Sequence, residues 1–341
     1  MIVVVGEVLI DLVLSLDGQL AARLGGGPCN AARALARLGA DTMFFGGLAD
    51  DTFGRQLRDQ LTADGVRIGV PAPSARPSTL AVAALDQAGR ASYRFYLDGT
   101  AAADLDYDTL SKALPPDLTA VHVGALGLLM EPIGTAVERL VLTGLPRDVL
   151  VLLDPNCRPG AVTDHQAYRR RLTAIARRAD IVKASTEDLA YLYQDASPEQ
   201  AARLLLAGGS SLVIVTDGPR PARAFLPSAT LEAPVPAVPV ADTIGAGDAF
   251  GGSFLAWWLA HGYTATSLKT VTPKTTQTPK TTKTPETAKT PGMPETPGTP
   301  GTPEAVAAAL AVAVAAAALT CGRPGADPPT REQLRAWWPA T

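Results

Sequence analysis

Short apolar runs alternate with helix-patterned segments along most of this chain. Unbroken β-rich runs occupy residues 2–5, 42–46, 121–124, 149–154, 181–184 and 212–216. Between them, apolar positions recur at helical spacing over 30–38, 53–64, 133–142, 167–177 and 198–207. A strand with one wet face alternates apolar and polar residues; these runs do not, so both faces of each are buried. Strands of that kind separated by amphipathic helices predict an α/β fold with a mostly parallel sheet covered on both sides. The first eleven residues are mainly apolar, are interrupted by Glu7 and lack a basic leading segment. They predict a buried first strand with Asp11 at its end rather than a signal peptide. Several strands close on a polar or Gly-rich corner, at Asp11, Gly46 and Gly47, Gly124, Asp154, Lys183 and Thr216. In an open α/β sheet the carboxyl ends of the strands line the ligand crevice.

Two regions break this rhythm. Residues 79–85 and 92–97 alternate apolar and polar positions around 86–90, which predicts a β-hairpin, either a lid over the crevice or an edge hairpin without a ligand role. Residues 264–304 form a Thr/Pro/Lys/Glu/Gly tract with almost nothing apolar to bury, and its prolines block helix and ladder alike. The tract predicts a disordered surface insertion between helices at 249–261 and 304–319, tolerable because long loops add little closure entropy. A Pro-rich ligand for a partner domain is the alternative.

Composition narrows the function. A chain of 341 residues fits one large α/β domain or two smaller ones. A net charge of −3 argues against a dedicated nucleic-acid or anionic-membrane binder. Cys29, Cys157 and Cys321 are scattered, without metal-site or disulfide spacing, and His122, His165 and His261 are equally dispersed. The Ala-rich run 305–319 is short for a membrane span and predicts a tightly packed core helix. The expectation is a soluble cytoplasmic protein.

Two glycine-rich turns carry the candidate chemistry. Asp242-Thr243-Ile244-Gly245-Ala246-Gly247-Asp248 runs straight into an apolar helix. First-turn amides lack intrahelical partners and sit at the positive end of the helix dipole, which makes an anion site suited to phosphate. Asp248 reads as a base for a hydroxyl attacking phosphorus, or as an ordinary N-cap. The same dipole favours its ionised form. The second turn, Gly25-Gly26-Gly27-Pro28-Cys29-Asn30, also opens a helix, and with Asp11 it predicts a polyol site. Neither a dinucleotide fingerprint nor a Walker A loop is present.

Gly26-Gly27-Pro28-Cys29-Asn30-Ala31-Ala32, then Arg37-Leu38-Gly39 and Gly47 to Gly54, resemble the N-terminal motif of the ribokinase-like, PfkB-type carbohydrate kinases. Asp242 to Asp248 resembles that family's C-terminal motif, and Asp154-Pro155-Asn156-Cys157-Arg158 and Thr216-Asp217-Gly218 resemble others in the same order. The resemblance spans the chain apart from the Thr/Pro tract. It implies one three-layer α/β sandwich with a small β lid, here 12–24 and 78–98, and transfer of the γ-phosphoryl group of ATP, with Mg²⁺, to a sugar hydroxyl. By the resemblance, Asp248 is the general base and Gly245, Ala246 and Gly247 form the anion hole. Asp11, Gly26, Gly27 and Asn30 hold the sugar, with Tyr93, Arg94, Tyr96 and Arg158 as further contacts; plain lid packing is the alternative for Tyr93 and Tyr96. Lys183, Ser185, Thr216, Gly218, Gly245 and Gly247 lie along the nucleotide and Ala317 borders the adenine. Asp188 and Glu187 belong to the Mg²⁺ environment, and Asp242 to a K⁺ site. The chain departs from the family at Ser185, where Asn is usual, and at Ala49, where Gly is usual. The lid and residues 124–128 resemble fructokinases, implying D-fructose as acceptor, with 2-keto-3-deoxygluconate second. A catalytically silent sugar or nucleotide sensor on the same fold is the remaining alternative. A homodimer through the lid is the expected assembly.

Overall fold

A computed structural model describes residues 1–14, 18–70, 72–85, 91–269 and 303–338. Its strands are β1 (Ile2–Val5), β2 (Leu9–Leu14), β3 (Leu20–Gly25), β4 (Thr42–Phe45), β5 (Arg67–Ile68), β6 (Leu80–Leu85), β7 (Ala91–Tyr96), β8 (Ala120–Gly124), β9 (Leu150–Asp154), β10 (Ile181–Ser185), β11 (Leu212–Asp217), β12 (Arg220–Phe225) and β13 (Thr230–Ala233). The large sheet runs β13-β12-β11-β10-β9-β8-β1-β4-β5, parallel from β11 to β5, with β12 and β13 antiparallel at one edge. The small sheet runs β3-β2-β6-β7. All of β1, β8 and β9 is buried or nearly so, as their unbroken apolar runs require.

Helices α1 (Gly27–Arg37), α2 (Thr52–Ala63), α3 (Tyr107–Lys112), α4 (Ile133–Arg139), α5 (His165–Arg178), α6 (Thr186–Leu192), α7 (Pro198–Gly208), α8 (Ala246–Ala260), α9 (Ala265–Lys269), α10 (Pro303–Cys321) and α11 (Arg331–Trp337) cover the sheet. One layer is the mutually packed set α1, α8 and α10; the other is α3 to α7. The fold is the expected ribokinase-like three-layer sandwich with a small second sheet. Helix α8 is apolar all round because the sheet, α1 and α10 enclose it, and every residue from Asp248 to Trp258 is buried. Gly252 lets α1 approach: a Cβ there would lie 2.7 Å from the Ala31 carbonyl oxygen.

Three expectations change. Strand β1 stops at Val5, so Asp11 lies not at its end but inside β2 of the small sheet, opposite Arg23 and Ala81. Gly6 makes the bend, since a Cβ there would come within 2.2 Å of the Pro28 ring. Helix α10 runs from Pro303 to Cys321, longer than the Ala-rich run, and is long and apolar enough to cross a membrane by length and composition. It packs against α8 and most of its apolar window is buried inside the protein, so it serves as a core helix. Of the Thr/Pro tract, 270–302 lies outside the described residues, while its flanks are α9 and the first turn of α10.

The segment 47–54 proves structural. Asp51 caps α2 by accepting from the Gly54 amide (2.8 Å), and its carboxylate also takes the amide and hydroxyl of Ser78, at the base of the small sheet. Those donors hold its pKa below the ordinary carboxylate value against the opposing pull of burial.

Candidate active site

A cavity of about 350 Å³ opens where β8 to β11 end, roofed by the small sheet. Its chemistry is built on the starts of α1 and α8. Gly245 adopts φ +78°, and a Cβ on it would lie 2.5 Å from that of Ala326, so only glycine makes the turn into α8. The helix then presents Asp248 in its first turn. The Asp248 carboxylate accepts from Asn30 Nδ2 (2.9 Å) and from Asn156 Nδ2 (3.3 Å). Asn30 Oδ1, also buried, has no partner within the protein. It is an acceptor free for a hydroxyl on a molecule in the cavity. Gly27 is required here because a Cβ would lie 2.9 Å from Asn156 Nδ2 and 3.2 Å from Asp248 Oδ1. Gly26, also on the wall, turns at φ +105°.

Electrostatics set the proton affinities. Burial raises the pKa of Asp248 above the ordinary carboxylate value, against opposing pulls from Asn30, Lys183 and Arg158. The helix dipole was expected to favour the ionised form; desolvation outweighs it. Asp11 is pushed up to about 6 by burial and then by the Asp248 charge. The sequence reading missed Glu7, which is 1% exposed and pushed to about 8 by burial, although it accepts from the amides of Gly27 (3.1 Å) and Gly127 (2.8 Å).

Lys183, on β10, places its ammonium under α8: a Cβ on Gly247 would lie 2.9 Å from Nζ. Its partner is Asp154 (2.9 Å), itself pushed to about 6 by burial. Burial alone would depress the lysine, but Asp154, Asp188 and Asp248 more than compensate and raise its pKa. A buried cation thus lies beneath the helix start, and the two together suit an anion.

Thr216 and Ser185 reach the cavity wall, as do Tyr93 and Arg158. Arg94 and Tyr96 do not: successive strand residues face opposite ways, so Tyr93 and Phe95 point inward and their neighbours point away. Gly218 occupies the β11–β12 turn at φ +55° and Ala317 is half-buried on α10, neither of them on the wall. Asp188 completes a capping box on α6: one oxygen accepts from the Cys157 amide (2.6 Å), the other from the Ser185 amide (2.8 Å) and hydroxyl (2.7 Å). Glu187 beside it is exposed, and the described residues contain no cluster of three or more His, Cys, Asp or Glu able to cage a metal. Asp242 accepts from the amides of Ile244 (3.0 Å) and Gly325 (2.9 Å), tying the glycine turn to the loop that carries Ala326. Arg33 and Arg37 on α1 hold that loop from the other side, through the Ala326 carbonyl and Asp327, each at 2.6 Å.

Asn156, within the Asp154–Arg158 motif, belongs to the site as well. Its φ of +40°, which Asn tolerates better than most residues, aims its amide at Asp248. An Asn between Pro155 and Cys157 at a strand end was the available signal.

The sequence model of pfkB family carbohydrate kinases matches residues 1–272. The chain belongs to this family. A fructokinase from Rhizobium leguminosarum bv. trifolii is 37% identical over 264 residues, covering 75% of this chain and 79% of that relative. A probable fructokinase-5 from Arabidopsis thaliana is 33% identical over 264 residues, covering 75% and 82%. Among solved structures, the fructokinase of Xylella fastidiosa with bound ATP superposes with a TM-score of 0.79 at 25% identity, covering 98% of this chain and 97% of that one. As a PfkB carbohydrate kinase, this protein places its acceptor and anion features at one cavity: a buried carboxyl of raised proton affinity, a free amide oxygen, and a helix start over a buried lysine.

Proposed function

We propose that this carbohydrate kinase transfers the γ-phosphoryl group of ATP to D-fructose, giving D-fructose 6-phosphate. The observation that carries the reading is Asp248, fixed by Asn30 and Asn156 at the start of α8 and beside Lys183. The fructokinase relatives support the choice of sugar.

The acceptor hydroxyls lie against Asp11 and Asn30 Oδ1, which accept their hydrogen bonds. Asp248 takes the proton of the attacking hydroxyl; a raised pKa makes it a stronger base than a solvated carboxylate. The first-turn amides of α8 and the Lys183 ammonium hold the transferring phosphoryl group. Its transition state is loose, so positioning and charge stabilisation dominate, and these donors need no rearrangement as charge develops. Mg²⁺ would neutralise phosphate charge, and the residues present fit an ion carried mainly by phosphate and water, since Asp188 on the cavity wall is committed to its cap and Glu187 lies off that wall. Both Asp242 oxygens keep a lone pair beside their amide bonds, which fits K⁺. Reduced, buried Cys29 and Cys157 agree with a cytoplasmic setting.

ADP release measured across fructose, 2-keto-3-deoxygluconate, ribose, glucose and adenosine tests the reading. Fructose is expected to give the highest kcat/KM. Arg158, a cation on the cavity wall beside Lys183, keeps the keto-acid as second acceptor. Sugar binding with no ADP release from any acceptor would establish a sensor instead.

We also propose a homodimer through the face of the small sheet turned away from the cavity, where Leu20 and Tyr96 are 60% and 51% exposed.

A further inference from the structure

Glu7 interrupts the apolar opening of the chain and is almost completely buried, an expensive place for a carboxyl. Its two oxygens serve two different segments. One accepts from Gly27, which opens α1 and the Asn30 corner; the other accepts from Gly127, in the turn that follows β8. Both segments are in unusual backbone conformations, with Gly26 at φ +105° and Ala125 at φ +56°. They also touch: a Cβ on Gly27 would lie 3.3 Å from that of Ala125. Glu7, Gly27, Ala125 and Leu126 all line the cavity.

We propose that Glu7 is a positioning residue for the acceptor sugar: its carboxyl fixes the distance between the Gly27–Asn30 corner and the Ala125–Leu126 wall. An apolar residue would fill the space but leave both amides unpaired, that of Gly127 fully buried, and each loop would settle independently. One carboxyl serving both makes them a single unit. The nucleotide side, at Lys183, Thr216 and the start of α8, receives no hydrogen bond from the Glu7 side chain. The effect therefore falls on sugar recognition. This rests on reading the Asp11–Asn30 end as the sugar end.

Glu7→Met tests it, because a thioether of similar length leaves both loop amides without their carboxyl acceptor. Calorimetry measures Kd for the sugar and for ATP, using whichever acceptor the wild-type protein binds most tightly. A wild-type preference for a sugar other than fructose overturns the substrate assignment and leaves this test intact. The expected result is a sugar Kd weakened about tenfold or more with an ATP Kd changed less than about twofold. If the variant fails to fold, Gly127→Ala strains the Gly127–Glu7 contact instead, since its Cβ would lie 3.0 Å from the Gly6 Cα and 3.2 Å from the Glu7 nitrogen, and the same selective loss is expected. An unchanged sugar Kd, or sugar and ATP affinities weakened in parallel, overturns the proposal.

Discussion

In the proposed reaction Asp248 has to be basic enough to take a proton and still be ionised when the sugar arrives. Burial pushes its pKa up while Asn30, Lys183 and Arg158 pull it back. Asp248→Asn should lower kcat by about 10²–10⁴-fold with little change in sugar KM. Near-normal turnover in that variant would remove the residue from the mechanism. Since the base works only when deprotonated, kcat/KM should fall as pH drops through its raised pKa. Asn30→Ala removes a donor that favours the anion, so this acidic limb should move to higher pH; a shift to lower pH would contradict the assignment. Glu7 affects stability in another window. Its folded pKa of about 8 lies above the reference 4.5, so its contribution is full below 4.5 and is lost as pH rises towards 8. The loss is on the order of 5 kcal/mol before relaxation. Denaturant midpoints should therefore decline from pH 5 to 8, and less steeply in Glu7→Gln.

Catalytic geometry depends on how closely two helices cross. Asn30 and Asp248 stand near the starts of α1 and α8, which meet at Ala31 and Gly252. Gly252→Ala brings a methyl group against a carbonyl and should destabilise the protein by about 1–3 kcal/mol. Chemical denaturation measures this, and kcat should fall with it because the two starts are pushed apart. The parallel strands from β11 to β4 were legible in the sequence because burial on both faces leaves unbroken apolar runs; the two-residue β5, half exposed, was not. Strands β12 and β13 were not, being partly exposed antiparallel strands without that signature. The hairpin of the small sheet was legible from alternation, but which set faced inward was not. Its polar and aromatic residues occur on both faces, so Arg94 and Tyr96 were drawn in where Phe95 belongs. Glu7 looked like a flaw in a strand, because a single sequence does not reveal which distant amides a buried acid will meet.

The cavity draws on distant parts of the chain: the corner after β1, the sheet's strand ends and the turn into α8. The roof over it leaves Leu20 and Tyr96 exposed on its far side. Leu20→Asp should shift the protein towards monomer in light scattering while leaving its melting temperature nearly unchanged. A wild-type protein that is monomeric at high concentration would remove the proposed interface.

Gly245 rests on Ala326, and Gly325 is bound to Asp242 from 83 positions further along the chain, so the proposed phosphate site is backed by a distant segment. A polypeptide still emerging from the ribosome has its sugar corner long before it has that support. Until residues 325 and 326 are made, the turn into α8 has nothing behind it, so the two sides of the cavity mature at different times.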